Sequence, residues 1–274
     1  MPARPKRRTL RIATWNINSL RLRQGLLKPL VDTLDPDVIC LQETKVPDEL
    51  FPHEAPSALG YPHVAYRGMK GYNGVAVLSR VPMIRRDDTP DWCLRGDCRH
   101  VGVMLDAPGG PLELHDFYVP AGGDIPDRKQ NPKFGHKLDF VDEATAWFAA
   151  RPGFARTVLV GDLNIAPLEH DVWSHKQLLT VVSHTPPEVE RLTAWMATGF
   201  VDAVRHFVPP DQKLYTWWSY RNRDWRLSDR GRRLDHVWVS PDLAGGLVRQ
   251  VILKDARDWT QSSDHVPVCV EITP

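Results

Sequence analysis

A set of oxygen- and nitrogen-bearing side chains stands where apolar runs end or begin. Asn16 and Asn18 follow residues 10–15, Glu43 follows 38–41, and Tyr118 lies near the end of 112–119. Asp162 and Asn164 follow Val158, Leu159, Val160 and Gly161, Asp235 opens the run through Ser240, and Asp264 and His265 precede 266–272. Hard oxygen donors, few nitrogens and no thiolate suit Mg2+, with Mn2+ able to substitute, rather than zinc. No nucleophilic G-x-S-x-G serine, cysteine dyad or Walker loop is present, so covalent catalysis and nucleoside triphosphate chemistry lack support. A cation, a carboxylate that aligns water and a His–Asp pair that offsets a developing anion describe metal-assisted phosphodiester hydrolysis.

These groups need elements that deliver them to one place. A short apolar run bounded by turn residues reads as a buried strand, and open α/β sheets bind ligands beyond the carboxyl ends of their strands. Strands are expected at 10–15, 38–41, 74–79, 101–105, 112–119, 158–160, 215–220, 234–240, 247–253 and 266–272. Ser19 is placed to cap a helix carrying Leu22, Leu26, Leu30 and Leu34, with Pro29 enforcing a kink or a late start. Strand, helix and strand over 10–41 form a βαβ unit. Residues 46–73 read as loop, and another loop runs to about His136. Helices are expected at 137–150 and 187–198. Alternation in 112–119 suggests a sheet covered on one side. A strand entered from the opposite direction presents its start where its neighbour presents its end, so all the polar groups can share one rim. The expected architecture is α/β: one domain over 10–274, with two sheets packed together and helices outside.

Each residue also has a plain structural reading. Glu43 fits a surface carboxylate, His265 a turn cap, Tyr118 a core ring with a satisfied hydroxyl, and one of Trp217 and Trp218 a core indole. Residues 221–233 carry six arginines against two aspartates, which suits a solvated face or a phosphate contact. The histidines around Glu169, His170, Asp171 and His175 match no ligand spacing and read as surface loop.

Composition bounds the class. The chain has 274 residues, 42% hydrophobic and 25% charged, with a formal net charge of +1, so any attraction for nucleic acid must be local. Cys40 and Cys269 sit in apolar runs as core thiols, and Cys93 and Cys98 are expected to stay reduced. No apolar run approaches the ~18 residues of a membrane span. Residues 1–9 are basic without an apolar stretch, which reads as a disordered tail and not a signal peptide. No membrane partner is expected, and the compartment is taken as cytoplasmic.

The ordered motifs resemble those of exonuclease III-type apurinic/apyrimidinic (AP) endonucleases. They are Thr-Trp-Asn-Ile-Asn-Ser-Leu-Arg at 14–21, Leu-Gln-Glu-Thr-Lys at 41–45, Tyr-Asn-Gly-Val-Ala-Val-Leu-Ser at 72–79, Tyr-Val-Pro at 118–120, Gly-Asp-Leu-Asn at 161–164, Arg-Leu-Asp at 233–235 and Ser-Asp-His at 263–265. The resemblance implies the endonuclease/exonuclease/phosphatase fold, a four-layer α/β sandwich of two mixed sheets. It implies Glu43 as the principal Mg2+ ligand, with Asn16 and Asp264 nearby. Asp162 would activate water, Asn164 would hold it, His265 oriented by Asp235 would stabilise the phosphorane, and Tyr118 would donate to phosphate or leaving oxygen. Asn18, Lys45, Tyr72, Asn73, Trp217, Arg221 and the 221–233 arginines would meet DNA, with Trp217 against a flipped-out abasic sugar. The implied substrate is double-stranded DNA with abasic or blocked 3′ ends, cut by a monomer. Ala121, Arg232 and Pro167 depart from the family's usual residues. Two competing functions are a same-fold phosphodiesterase acting on inositol phosphates or sphingomyelin, and a non-catalytic nucleic-acid binder.

Overall fold

The computed structural model describes residues 9–151 and 153–274, so the expected basic tail lies, Thr9 apart, outside the described residues. The chain begins with β1 (Leu10–Asn16), buried except at Arg11. The helical stretch after it is broken into α1 (Leu20–Arg23), a 3-10 turn (Gln24–Leu26) and α2 (Leu27–Leu34). Pro29 explains the late start: it falls in the first turn of α2, where a backbone N–H has no helical partner to lose. The break turns Leu22 out to solvent, whereas Leu20, Leu27, Leu30 and Leu34 are buried. Ser19 makes no side-chain cap. β2 (Val38–Gln42) then pairs in parallel with β1, as the βαβ reading requires.

Residues 46–73 are not all loop. They contain α3 (Glu54–Ala58) and β3 (His63–Arg67), which pairs with β4 (Val75–Ser79). β3 is an edge strand on which Tyr66 stacks against Phe51 at 4.0 Å. β5 (Met83–Arg85), β6 (His100–Ala107) and β7 (Gly110–Tyr118) follow. The alternation in β7 does not mark a wet face, because residues 112–118 are all buried. Its polar members form a buried network: Glu113 Oε1 lies 2.7 Å from His115 Nε2, and His115 Nδ1 lies 2.9 Å from His100 Nε2.

α4 (Pro132–Ala149) starts five residues earlier than expected. Asn131 caps it by accepting from Lys133 N, and Pro132 opens it; that cap-and-proline pair was legible as a helix start. β8 (Thr157–Asp162), α5 (His175–Leu178) and α6 (Pro186–Met196) follow, the last with a Thr185/Glu188 capping box. β9 (Val201–Asp202), β10 (Trp217–Trp218), α7 (Trp225–Ser228), β11 (Gly231–Arg232), β12 (Asp235–Val239), α8 (Pro241–Ala244), β13 (Leu247–Ile252) and β14 (Val268–Ile272) complete the order. The strand expected at 215–220 shrinks to two residues, and the arginine-rich loop holds α7 and β11.

Two six-stranded mixed sheets result, ordered β13-β14-β1-β2-β4-β3 and β5-β6-β7-β8-β12-β9. Their facing surfaces share a core that includes Ile12, Val77, Leu114, Val160 and Val270, each side chain contributing about 1.5–3 kcal/mol by burial. Ala13, Trp15, Leu27 and Leu30 pack the outer face of the first sheet, and Phe117, Phe140, Phe148 and Trp195 that of the second. This is the four-layer α/β sandwich. Each sheet has one parallel pair, β1/β2 and β7/β8. Those four strands end at Asn16, Gln42, Tyr118 and Asp162, while antiparallel β12 starts with Asp235 opposite Asp162.

Candidate active site

The rim formed by these strand ends gathers the expected chemistry. Asn16 Nδ2 donates to Glu43 Oε1 at 2.9 Å and to Asp162 Oδ2 at 2.8 Å, so one carboxamide joins the two carboxylates across the sheets. Asn164 Nδ2 donates to Asp162 Oδ2 at 3.2 Å and to Val119 O at 2.9 Å. His265 Nδ1 lies 2.8 Å from Asp235 Oδ2, and its Nε2 lies 3.6 Å from Asp162 Oδ2. Thr216 Oγ1 donates to the same Asp235 oxygen at 2.6 Å, fixing the carboxylate that orients the ring. Tyr118 is buried with its hydroxyl on Glu43. Asn18, Glu43, Lys45 and Asn164 all have left-handed backbone, conformations that non-glycine residues hold only when their surroundings enforce them.

Electrostatics divides the site. Burial pushes the Asp162 carboxyl up, and the charges of Asp235 and Glu43 add to that push against His265 and Asn16. Burial opposes protonation of His265, but Asp235 and Asp162 outweigh it, so its imidazole is held cationic well above the ordinary range. Burial also works on Glu43, but the Lys45 ammonium, Asn16 and His265 outweigh it and hold the carboxyl below its usual value. Divergent pKa values within one cluster mark acid and base partners.

The donor set fits a hard cation. Lys45 Nζ stands 2.8 Å from Glu43 Oε2 and 2.6 Å from Asn18 Oδ1, an ammonium already drawn to this oxygen-lined spot. Asp162, Asp235 and His265 also bring three ligand atoms within 4.8 Å of one another. His265, however, is committed through Nδ1 to Asp235 at 2.8 Å. The side-chain oxygens of Glu43, Asn16, Asp264 and Asp162 are the chemically suitable donors. Asp264 accepts from Asn18 Nδ2 at 3.2 Å and from Trp217 Nε1 at 2.9 Å, and so ties the rim to the indole.

Trp218 is the core member of its pair and Trp217 the partly exposed one, as alternation requires. Trp217 forms a bridge with His265. Tyr72 is exposed, Asn73 is buried with Nδ2 on Asp97 O at 2.9 Å, and Arg221 is exposed on the loop after β10. The arginine-rich loop is not uniformly available for phosphates. Arg233 is buried and pairs with Asp171 at 2.9 Å and Asp202 at 2.6 Å. Arg226 pairs with Asp255 and Asp258, and Arg232 donates to Val182 O and Ser183 Oγ. The Glu169–Asp171 turn is likewise no simple surface loop, because Asp171 is fully buried against Arg205 and Arg233.

Sequence reasoning missed the groove beside Tyr118. It encloses about 570 Å3 and is lined by Arg95, Arg99, Lys133 and His136 together with Tyr72 and Asn73. Arg99 lies 4.9 Å over the Tyr118 ring. Arg95, Arg99, Lys133 and His136 come from segments whose sequence spacing carries no motif. The four cysteines are free, with Cys40 and Cys269 buried. Among the described residues, no helix is long and apolar enough to cross a membrane.

Comparison with known proteins agrees with this geometry. The model of the Endonuclease/Exonuclease/phosphatase family matches residues 13–265. Exodeoxyribonuclease III of Haemophilus influenzae is 32% identical over 270 residues, covering 96% of this chain and 99% of that protein. The exodeoxyribonuclease of Bacillus subtilis is 28% identical over 269 residues, covering 94% and 98%. The 3′ phosphatase NExo from Neisseria, solved bound to a product DNA hairpin, superposes with a TM-score of 0.86 at 28% identity, covering 96% and 99%. An AP endonuclease from Archaeoglobus fulgidus gives 0.85 at 29% identity, covering 95% and 98%. A matched family model over nearly the whole chain, on the fold and rim just described, makes this chain a member of the endonuclease/exonuclease/phosphatase family and an enzyme of the exodeoxyribonuclease III and AP endonuclease kind.

Proposed function

We propose that residues 10–274 form a single catalytic domain that hydrolyses double-stranded DNA 5′ to abasic sites as a Mg2+-dependent monomer, with 3′→5′ exonuclease and 3′-phosphatase activities alongside. The observation that carries this reading is the Asn16 carboxamide bridging Glu43 and Asp162 next to the His265–Asp235 pair. Glu43, with Asn16 and Asp264, would hold the cation, which when bound supplies positive charge against the phosphate oxygens. Asp162 takes a proton from water held beside Asn164, and the water oxygen forms its bond to phosphorus. The bond from phosphorus to the 3′-oxygen breaks, and that oxygen takes a proton from solvent water to become a 3′-hydroxyl, leaving a 5′-phosphate on the abasic sugar. The His265 imidazolium and the Tyr118 hydroxyl face the charge that builds on the phosphate oxygens. Asn18, Lys45, Tyr72, Asn73, Trp217 and Arg221 contact the duplex, and the Arg95, Arg99 and Lys133 groove follows its backbone.

The test is a labelled duplex with one abasic analogue beside intact and 3′-phosphate controls. In Mg2+ or Mn2+ the abasic strand is cut once, 5′ to the lesion, and EDTA abolishes the cut. Absence of cleavage on all three substrates in both metals contradicts the reading; cleavage of the 3′-phosphate alone assigns a phosphatase.

A further inference from the structure

Lys137 on α4 is fully buried, as is its partner Glu188, with Nζ 2.5 Å from Oε1. Its ammonium also donates to Asn164 O at 2.8 Å and to Ala121 O at 3.3 Å, so all three protons are used. Glu188 in turn accepts from Ser183 N at 2.9 Å, Thr185 N at 3.1 Å and Thr185 Oγ1 at 2.5 Å. A buried ion pair adds little stability over well-packed hydrocarbon of the same volume, so fold stability does not account for it. What hydrocarbon cannot do is hold two carbonyls on separate loops. Asn164 is itself a rim residue with left-handed backbone, and Ala121 lies in the irregular segment that leaves β7 after Tyr118. That segment passes close to the lysine stem: a Cβ added at Gly122 would lie 2.9 Å from Lys137 Cδ.

We propose that Lys137 is a positioning residue for hydrolysis, its ammonium tying the Asn164 turn to the Tyr118 loop from beneath the rim. The inference rests on the hydrolase reading above. Lys137 touches neither substrate nor water; it sets the distance between groups that do. A displacement of about 1 Å at such groups costs on the order of 10²-fold in rate.

The test removes both charges together, Lys137→Met with Glu188→Met, so that no orphan charge remains. The expected variant melts lower than the parent, because Ser183 N, Thr185 N and Thr185 Oγ1 lose their acceptor, but at an assay temperature where it is fully folded it keeps KM within about threefold and loses about 30- to 100-fold in kcat. The pair Lys137→Gln with Glu188→Gln retains a donor for one carbonyl and should fall between the parent and the methionine pair; it is read in the same way if the methionine pair does not fold. Parent-like kcat in a folded double variant overturns the inference, as does a kcat loss that merely tracks the unfolded fraction. An inactive parent sinks the hydrolase reading instead, so the two failures are distinguishable.

Discussion

The proposed roles of single side chains at the rim can be separated by substitution. Asp235 holds His265 through Nδ1 and is itself held by Thr216. Asp235→Asn should therefore lower kcat by about 10²–10⁴ while leaving DNA affinity near the parent value, because the imidazole loses its orienting charge. An unchanged kcat would show that the pair is only structural. Tyr118→Phe removes one donor from the developing phosphate charge, with an expected loss of about 10- to 10³-fold in kcat. Gel-based initial rates at saturating substrate measure both. That Asn16, Glu43, Asp162, Asp235 and His265 gather on one rim was legible in sequence because strand ends fix their places. Lys137 was not legible, since a lone lysine in an amphipathic helix reads as solvent-facing until the loops that cover it are seen.

At the level of elements, β7 and β8 meet so closely that Gly161 has no substitute. A Cβ there would lie 1.9 Å from Phe117 O, and φ is +141°. Gly161→Ala should leave little folded protein, because backbone on β7 must move together with Tyr118. Circular dichroism and soluble yield check this; a folded, active variant would show that β7 can shift at little cost. The principal strands were readable from apolar runs. β3 and β5 were not, because short edge strands carry half-exposed, mixed residues without a clean period. The buried face of β7 was misread because Glu113 and His115 alternate like surface residues while bonding to each other under α4. The start of α4 was missed although Asn131 and Pro132 announce it.

The whole molecule should respond to pH and to salt in definite directions. Burial, aided by the nearby Arg233 charge, lowers His236 to about 4 in the fold. Its unfolded value is near 6.5, so its contribution is fully present above that pH and is lost as pH falls from about 6.5 toward 4, up to roughly 3 kcal/mol. His100 and His115 are lowered by burial too and act in the same sense. Asp162 and His265, raised in the fold, act in the opposite sense, so the His236 contribution is read as a difference: between pH 7.5 and 5, His236→Gln, which keeps a donor for Ile165 O, should lose less stability than the parent. An equal change in parent and variant would refute this. With a net charge of only +1, DNA affinity rests on local cations. Lys133→Ala or Arg95→Ala should each reduce the salt slope of binding by about 0.9 for every phosphate no longer neutralised; an unchanged slope in both would remove the Tyr118 groove from the interface. The sandwich was readable as a whole from strand and helix order, whereas the groove arises only once the segment 95–99 before β6, α4 and residues 118–123 come together.

The central claim is that Asp162 serves the chemistry and not the grip on DNA. Single-turnover cleavage of an abasic duplex in Mg2+, measured with binding of the same duplex, compares the parent with Asp162→Asn. The account predicts a rate loss of about 10³-fold or more with a dissociation constant within about threefold of the parent. Binding that weakens in step with cleavage, or a rate that survives the substitution, would contradict it.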